Sequence, residues 1–337
     1  MLRFYELSDA VAKFGFCTAT IANVFFIYFT IFHIKRIDQT YKLMVLIFAL
    51  LGIIFSAWEL IARPFLHNFN HGFMFFSLNT WLIPLFPWIS QTFLQLAMTV
   101  YAGFYAILLA FIAVQFVFRY YCLMHSEFSK KFEGVGMIVW IVYPLVCGVI
   151  YGGAFWVLSV QDDFSDKYFE EEILKVYELV IEEVPRMMVI SYDPDGSFRW
   201  QNSSFLITAV LLLGLQYLII LYCGIQMRLK IQKELQHFSV QNQKLQKQFF
   251  RALIVQTLAP TLLFILPVSG VLIVPMMDIE ISVQSGVIYA IFSLYPPFDS
   301  LAFMLIVSEY RKVIKRLCKM LRGDKSAENN NNVSSLT

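Results

Sequence analysis

Charge is scarce in this chain, and the scarcity comes in blocks. Of 337 residues only 15% are Asp, Glu, Lys or Arg, where a soluble protein carries about 25%. No charged residue occurs in 14–34, 43–58, 64–118, 134–161, 200–227, 252–277 or 281–298. An ordinary water-facing surface cannot be built from such a chain. Cysteine is scarce too: there are five, with Cys17, Cys147 and Cys223 inside apolar runs, so no disulfide framework is available. The charge-free runs contain no Lys, which excludes a retinal Schiff base there. No HExxH, GxSxG, Gly-rich phosphate loop or CxxC occurs, which removes the corresponding enzyme classes. His67 and His71 have metal-ligand spacing for a helix, but no third ligand follows, so neither metal nor cofactor is expected. The first ten residues are mixed and the first apolar run exceeds a signal h-region, so that run reads as a retained helix.

What is present is a set of seven apolar runs, each near the ~20 residues a spanning helix needs. They place helices at 10–32, 42–62, 89–120, 134–158, 203–226, 249–274 and 284–307. The expected fold is an all-α membrane protein, a seven-transmembrane bundle with termini on opposite faces. Nineteen of the 26 basic residues fall in three gaps and the tail; the other face keeps Arg3, Lys13, Arg63, Lys167, Lys175, Arg186 and Arg199. By the positive-inside rule the C-terminus is cytoplasmic and the N-terminus outside. The expected divisions are a short outer N-terminus at 1–9, a bundle at 10–307 and a tail at 308–337. The bundle carries an outer loop at 159–202 and a helical cytoplasmic loop at 227–248. The tail has an amphipathic helix at 309–321 and a disordered Asn/Ser-rich end. The basic patches suit anionic lipid and protein partners rather than nucleic acid.

The outer loop at 159–202 has eleven acids against four bases. Residues 170–184 carry apolar side chains at helical spacing, and Asp193-Pro194-Asp195-Gly196 reads as a turn between two short strands. A helix plus a hairpin there forms a lid; a solvated acidic spacer is the bland reading. Asn202-Ser203-Ser204 is a glycosylation sequon on the outer side. Cys122 and Cys318 sit on the cytoplasmic side, and Cys318, in the basic amphipathic stretch, is a palmitoylation candidate.

Ionisable residues inside a bilayer are functional candidates. Glu59 and Arg63 are four apart, so they form either a self-neutralising pair or a polar wall of a ligand cavity. Asp299 follows Tyr295-Pro296-Pro297, where prolines kink a helix; it is either a switch or a satisfied buried acid. Arg119 and Tyr120 end the third helix, with Arg119 either snorkelling to headgroups or lining a cytoplasmic cleft. Pro260 and Pro267 mark the sixth helix as a pivot, or as rigid with two tolerated kinks. Gln95, Tyr101 and Tyr105 are ligand-binding candidates from their depth in the third helix, with core packing the alternative.

Five stretches together resemble the nematode seven-transmembrane chemoreceptors, the serpentine receptors of the Str family that include the diacetyl odorant receptor. They are Thr40-Tyr41-Lys42 with Glu59, Arg63-Pro64 and His67; Phe118-Arg119-Tyr120; Tyr192, Gly196 and Arg199-Trp200; residues 245–253 with Gln256-Thr257 and Pro260; and Tyr295-Pro296, Asp299 and Tyr310-Arg311. The resemblance implies a receptor that binds a small odorant-like molecule and activates a heterotrimeric G protein at the plasma membrane, in the cilia of sensory neurons. The ligand would lie among the third, fifth, sixth and seventh helices. The G protein would meet Arg119, Tyr120, Lys247 and Arg251. Phe118 stands where rhodopsin-like receptors carry an acid, so the acid–arginine lock is missing. Their outer disulfide is impossible here, so something else must tether the long loop. The alternative is an odorant-gated ion channel, whose cytoplasmic N-terminus runs against the charge count. A transporter would show inverted repeats.

Overall fold

Apolar runs long enough to span a bilayer have no water to satisfy their backbone, so they must coil into helices. The computed structural model describes residues 4–35, 37–86, 88–124, 130–234, 239–262, 266–277 and 279–321. Helix α1 is Phe4–Phe32 and α2 is Gln39–Ala62, the latter started by Asp38, whose carboxylate accepts from the Tyr41 amide at 3.1 Å. Next come α3 (Gln91–Met124), α4 (Val135–Leu158), a loop helix α5 (Asp163–Tyr177) and α6 (Trp200–Glu234). Five of these, α1 to α4 and α6, are long and apolar enough to cross a membrane.

Of the run expected at 249–274 the described parts are α7 (Val240–Pro260) and α8 (Leu266–Ile273). Pro260 lies inside the helical stretch, with Thr261 after it still in right-handed helical backbone. The last run departs from the single helix expected at 284–307: it divides into α9 (Gly286–Phe292) and α10 (Tyr295–Ile306). Proline is the cause: it donates no amide hydrogen and crowds the preceding turn, and Pro296 sits in the first turn of α10, where a helix tolerates it. A last helix, α11, is Ser308–Leu321.

Helix α3 is the axis: 83% of its most apolar 18-residue stretch is buried, against 28–44% in the other four. Its contact with α4 is a seam of glycines. A Cβ on Gly103 would stand 2.9 Å from the Gly148 carbonyl oxygen, and one on Gly152 would stand 3.1 Å from that of Thr99. The two backbones touch, the packing by which small residues hold membrane helices together.

One end of the bundle carries a four-stranded antiparallel sheet in the order β3-β2-β1-β4. Strands β1 (Pro64–Phe69) and β2 (Gly72–Ser77) form a hairpin around Asn70, whose φ is +46°. Strand β3 (Arg186–Ile190) comes from the long loop and β4 (Ser282–Val283) from between α8 and α9. Alternation sends Leu66, Phe73, Phe75, Met187 and Val189 toward the bundle. It sends Phe65, Met74, Phe76, Met188 and Ile190 to a second core under α5, beside Phe169, Ile173 and Tyr177. The loop helix expected at 170–184 therefore begins earlier, at a capping box between Asp162 and Ser165, and ends at left-handed Glu178. The expected hairpin at 187–200 is also revised. Its turn exists, closed by a bridge between Tyr192 and Phe198, but β3 takes β2 as its partner.

Arg186 fastens this cap. Its Nε and Nη2 each donate to Asp166 at 2.7 Å, and Nη1 donates to the carbonyls of Ile181 (2.6 Å) and Val184 (3.1 Å). The tether that no disulfide could provide is thus a shared sheet and one bidentate ion pair.

His67 joins three pieces of the cap. Nδ1 is hydrogen-bonded to the Tyr177 hydroxyl at 3.0 Å, while Nε2 lies 3.6 Å from Glu172 Oε1 and 3.5 Å from Ser282 Oγ. It lies on a strand and His71 in the turn, so helical metal spacing does not apply. Burial lowers the imidazole pKa to about 4, against the opposing pull of Glu172. A released His67 takes a proton near ~6.5, whereas the packed ring resists until about 4. The cap is therefore expected to loosen as pH falls below ~6.5. Hydrogen exchange of the β1 amides, corrected for intrinsic rate, should speed up between pH 7 and pH 5, and His67→Gln should flatten that dependence.

Candidate functional site

Beneath the sheet lies a cavity of about 240 Å³. Its roof is Leu66, Phe73 and Phe75; α3 contributes Ala102 and Tyr105, and α4 contributes Tyr151 and Phe155. The remaining walls come from α6, including Ala209, Leu213 and Tyr217, and from α8, including Leu272 and Ile273. The cavity expected among the third, fifth, sixth and seventh helices thus has α4 as its fourth wall. Tyr105 lines it; Glu59, Arg63, Gln95 and Tyr101 do not.

Those four do other work. Glu59 Oε1 accepts from Ser293 Oγ at 2.6 Å and from the Tyr101 hydroxyl at 3.1 Å, tying α2 and α3 to the turn before α10. The Glu59–Arg63 pair is not formed. Arg63 takes left-handed backbone (φ +36°) at the end of α2, which carries its side chain away, and its Nε lies 3.2 Å from Asp9. Gln95 Nε2 donates to the Arg186 carbonyl at 3.1 Å, linking α3 to the cap. From Tyr101 an aromatic chain runs through Tyr105 and Phe292 to Tyr295, with ring centroids 5.1–5.3 Å apart.

Tyr295 leads on to a buried polar group. Its hydroxyl lies 3.4 Å from Asp299 Oδ1 and 3.3 Å from the Gln256 carbonyl, while Gln256 Nε2 donates to Asp299 Oδ2 at 3.0 Å. This joins α10 to α7, one turn before Pro260. Pro267 lies in α8. Lower still, Gln248 Oε1 accepts from both the amide and the hydroxyl of Ser308 at 2.9 Å, joining α7 to the start of α11.

At the end opposite the sheet Arg119 is buried, 4% exposed. Its guanidinium carbon stands 3.3 Å over the Tyr41 ring and 4.0 Å from the Phe249 ring, and Nη1 donates to Gln246 Oε1 at 3.3 Å. A cation between two aromatic faces joins α2, α3 and α7, and no acid among the described residues forms an ion pair with it. Sequence reasoning singled out Arg119 but missed Tyr41, Phe249 and Gln246 as its partners. Lys247 and Arg251 point outward from α7, and Tyr120 packs near Tyr222 of α6.

The Serpentine type 7TM GPCR chemoreceptor Str family matches residues 8–315. The chain belongs to this family. Among its relatives is the Caenorhabditis elegans protein named G-protein coupled receptor str-33, 36% identical over 318 residues, which cover 93% of this chain and 91% of the relative. Another, serpentine receptor class r-10 of the same nematode, is 23% identical over 282 residues, 82% of this chain and 80% of the relative. This is a receptor family, not an enzyme family, and its members are multi-pass membrane proteins.

In the receptor, Cys318 is exposed on α11, open to acylation. Asn202 is buried, 5% exposed, and its Nδ2, the atom a sugar would take, donates to the Leu158 carbonyl at 2.8 Å. Treatment with peptide N-glycosidase is expected to leave the mobility of the expressed receptor unchanged.

Proposed function

We propose that the receptor binds a small odorant-like molecule in the cavity under the sheet and responds by activating a heterotrimeric G protein. The observation that carries this reading is one continuous arrangement. An apolar cavity lies under a cap at one end, the Tyr295–Asp299–Gln256 group lies between, and the Arg119 clamp closes the other end. A ligand that prefers one packing of the cavity walls shifts the population toward it. Pro260, near the upper end of α7, is the hinge on which α7 moves, and the clamp opens the face around Arg119, Tyr120, Lys247 and Arg251 to the G protein. The distribution of basic residues supports an orientation with that face, the 227–248 loop and the 308–337 tail in the cytoplasm, and the cap and residues 1–9 outside. The plasma membrane of sensory cilia is the setting this role fits.

Reporter fusions at each terminus test the orientation; a cytoplasmic N-terminus would sink the receptor reading in favour of an odorant-gated channel. An odorant panel applied to cells expressing the full chain should then yield ligand-stimulated nucleotide exchange. A ligand-gated current without exchange would point to the channel.

A further inference from the structure

We propose that the ligand is a neutral, largely apolar molecule of about ten heavy atoms that enters sideways from the bilayer, between α6 and α8. This rests on the reading that the cavity is the ligand site. The size follows from volume. An apolar cavity of ~150 Å³ holds benzene, so about 240 Å³ here scales to ~10 heavy atoms.

The class follows from the walls. No charged side chain lines the cavity among the described residues. Polar groups are few: the hydroxyls of Tyr105, Tyr151, Tyr217 and Ser269. Tyr217 is already hydrogen-bonded to Thr261 Oγ1 at 2.8 Å, and Ser269 donates to the Leu266 carbonyl at 2.8 Å. An ionic ligand would lose its hydration without gaining a counter-charge, which costs several kcal/mol. A single carbonyl or hydroxyl is tolerable.

The route follows from what is closed and what is not. On the cap side, Leu66, Phe73, Phe75, Met187 and Val189 are each at most 3% exposed, and α5 covers the sheet a second time. On the α6–α8 side two lining residues are themselves on the outer surface: Val210 is 67% exposed and Ile273 is 52% exposed. Val210 lies ten residues beyond Trp200 at the head of α6, about 15 Å along the helix at ~1.5 Å per residue. That depth is inside the hydrocarbon, where each methylene of a ligand favours partitioning about fourfold. The membrane would concentrate the ligand at the opening.

The test uses the full-length receptor in cell membranes with methyl ketones of four to ten carbons and the alkyl carboxylates and alkylammonium ions of equal length. Readouts are the amplitude and onset rate of nucleotide exchange after rapid mixing, at matched surface expression. Neutral members are expected to activate, with potency rising with chain length, and charged members to stay silent. Val210→Trp with Ile273→Trp should slow onset at least tenfold; Val210→Phe alone serves if the double variant does not reach the surface. Leu213→Trp, which fills the interior, should lower potency at least tenfold. Activation by a charged member, or silence to every neutral one, overturns the ligand class. Unchanged onset in the portal variants beside a weakened Leu213→Trp overturns the route and leaves the cavity reading standing. Unchanged potency in Leu213→Trp overturns the cavity reading itself.

Discussion

Replacing Arg119 by Ala is expected to abolish ligand-stimulated nucleotide exchange while leaving surface expression intact, and replacing Tyr41 by Leu is expected to raise exchange without ligand. The first follows from the place of Arg119 on the proposed G-protein face, the second from the clamp. A desolvated guanidinium over an aromatic face contributes about 2 kcal/mol, and Arg119 has two such faces, at 3.3 and 4.0 Å. Removing the Tyr41 ring leaves Arg119 in place but takes away the closer face. A loss of ~2 kcal/mol shifts a two-state equilibrium about 30-fold. Tyr41→Phe keeps the ring and should keep basal exchange low, which separates the ring from the hydroxyl. Exchange measured on membranes with matched receptor number decides the matter; an unchanged basal rate in Tyr41→Leu would refute the clamp as the resting lock.

Arg186→Ala is expected to cost about 2–3 kcal/mol, less than for a fully buried pair because the Asp166 side chain is 25% exposed, and to free the cap. Removing the arginine strands Asp166 and the carbonyls of Ile181 and Val184. That is within the range a disulfide of similar reach contributes, ~2–4 kcal/mol. Asp166→Asn, which keeps hydrogen bonding without the charge, should cost less. Thermal unfolding of the purified receptor should show a lowered midpoint for Arg186→Ala, with new proteolytic nicks within 160–199. A resistant loop and an unmoved midpoint would show that the sheet alone holds the cap.

The spans and the cap were unequally legible in the sequence. Leu43 to Trp58 or Val135 to Leu158 could be nothing but helix, because the runs are long and lack charge. The sheet was hidden by the same property. Gly72–Ser77 is buried on both faces, so its apolar residues do not alternate with polar ones and merge with the charge-free run that continues into α3. Arg63 misled for a different reason: four-residue spacing makes a pair only while the helix continues, and the left-handed turn at Arg63 ends it. The cavity was least legible. Lipid-facing and cavity-facing positions on α6 carry the same residue types, and only the packing of α3, α4 and α8 decides which is which. Gln256, inside the stretch that carried the family resemblance, proved to be the partner of Asp299.

The length of α7 also fixes an amplification. Strand β4 pins the chain beyond α8 to β1, which anchors the upper end by the sheet, while α7 runs from Pro260 down to Val240. Helix α7 has 21 residues and so is about 31 Å long. A rotation of ~10° at its upper end would carry its lower end about 5 Å, one helical turn. A displacement of a fraction of an ångström among the walls of an apolar chamber, too small to register on most side chains, would arrive at the opposite end as a step wide enough to uncover a docking groove.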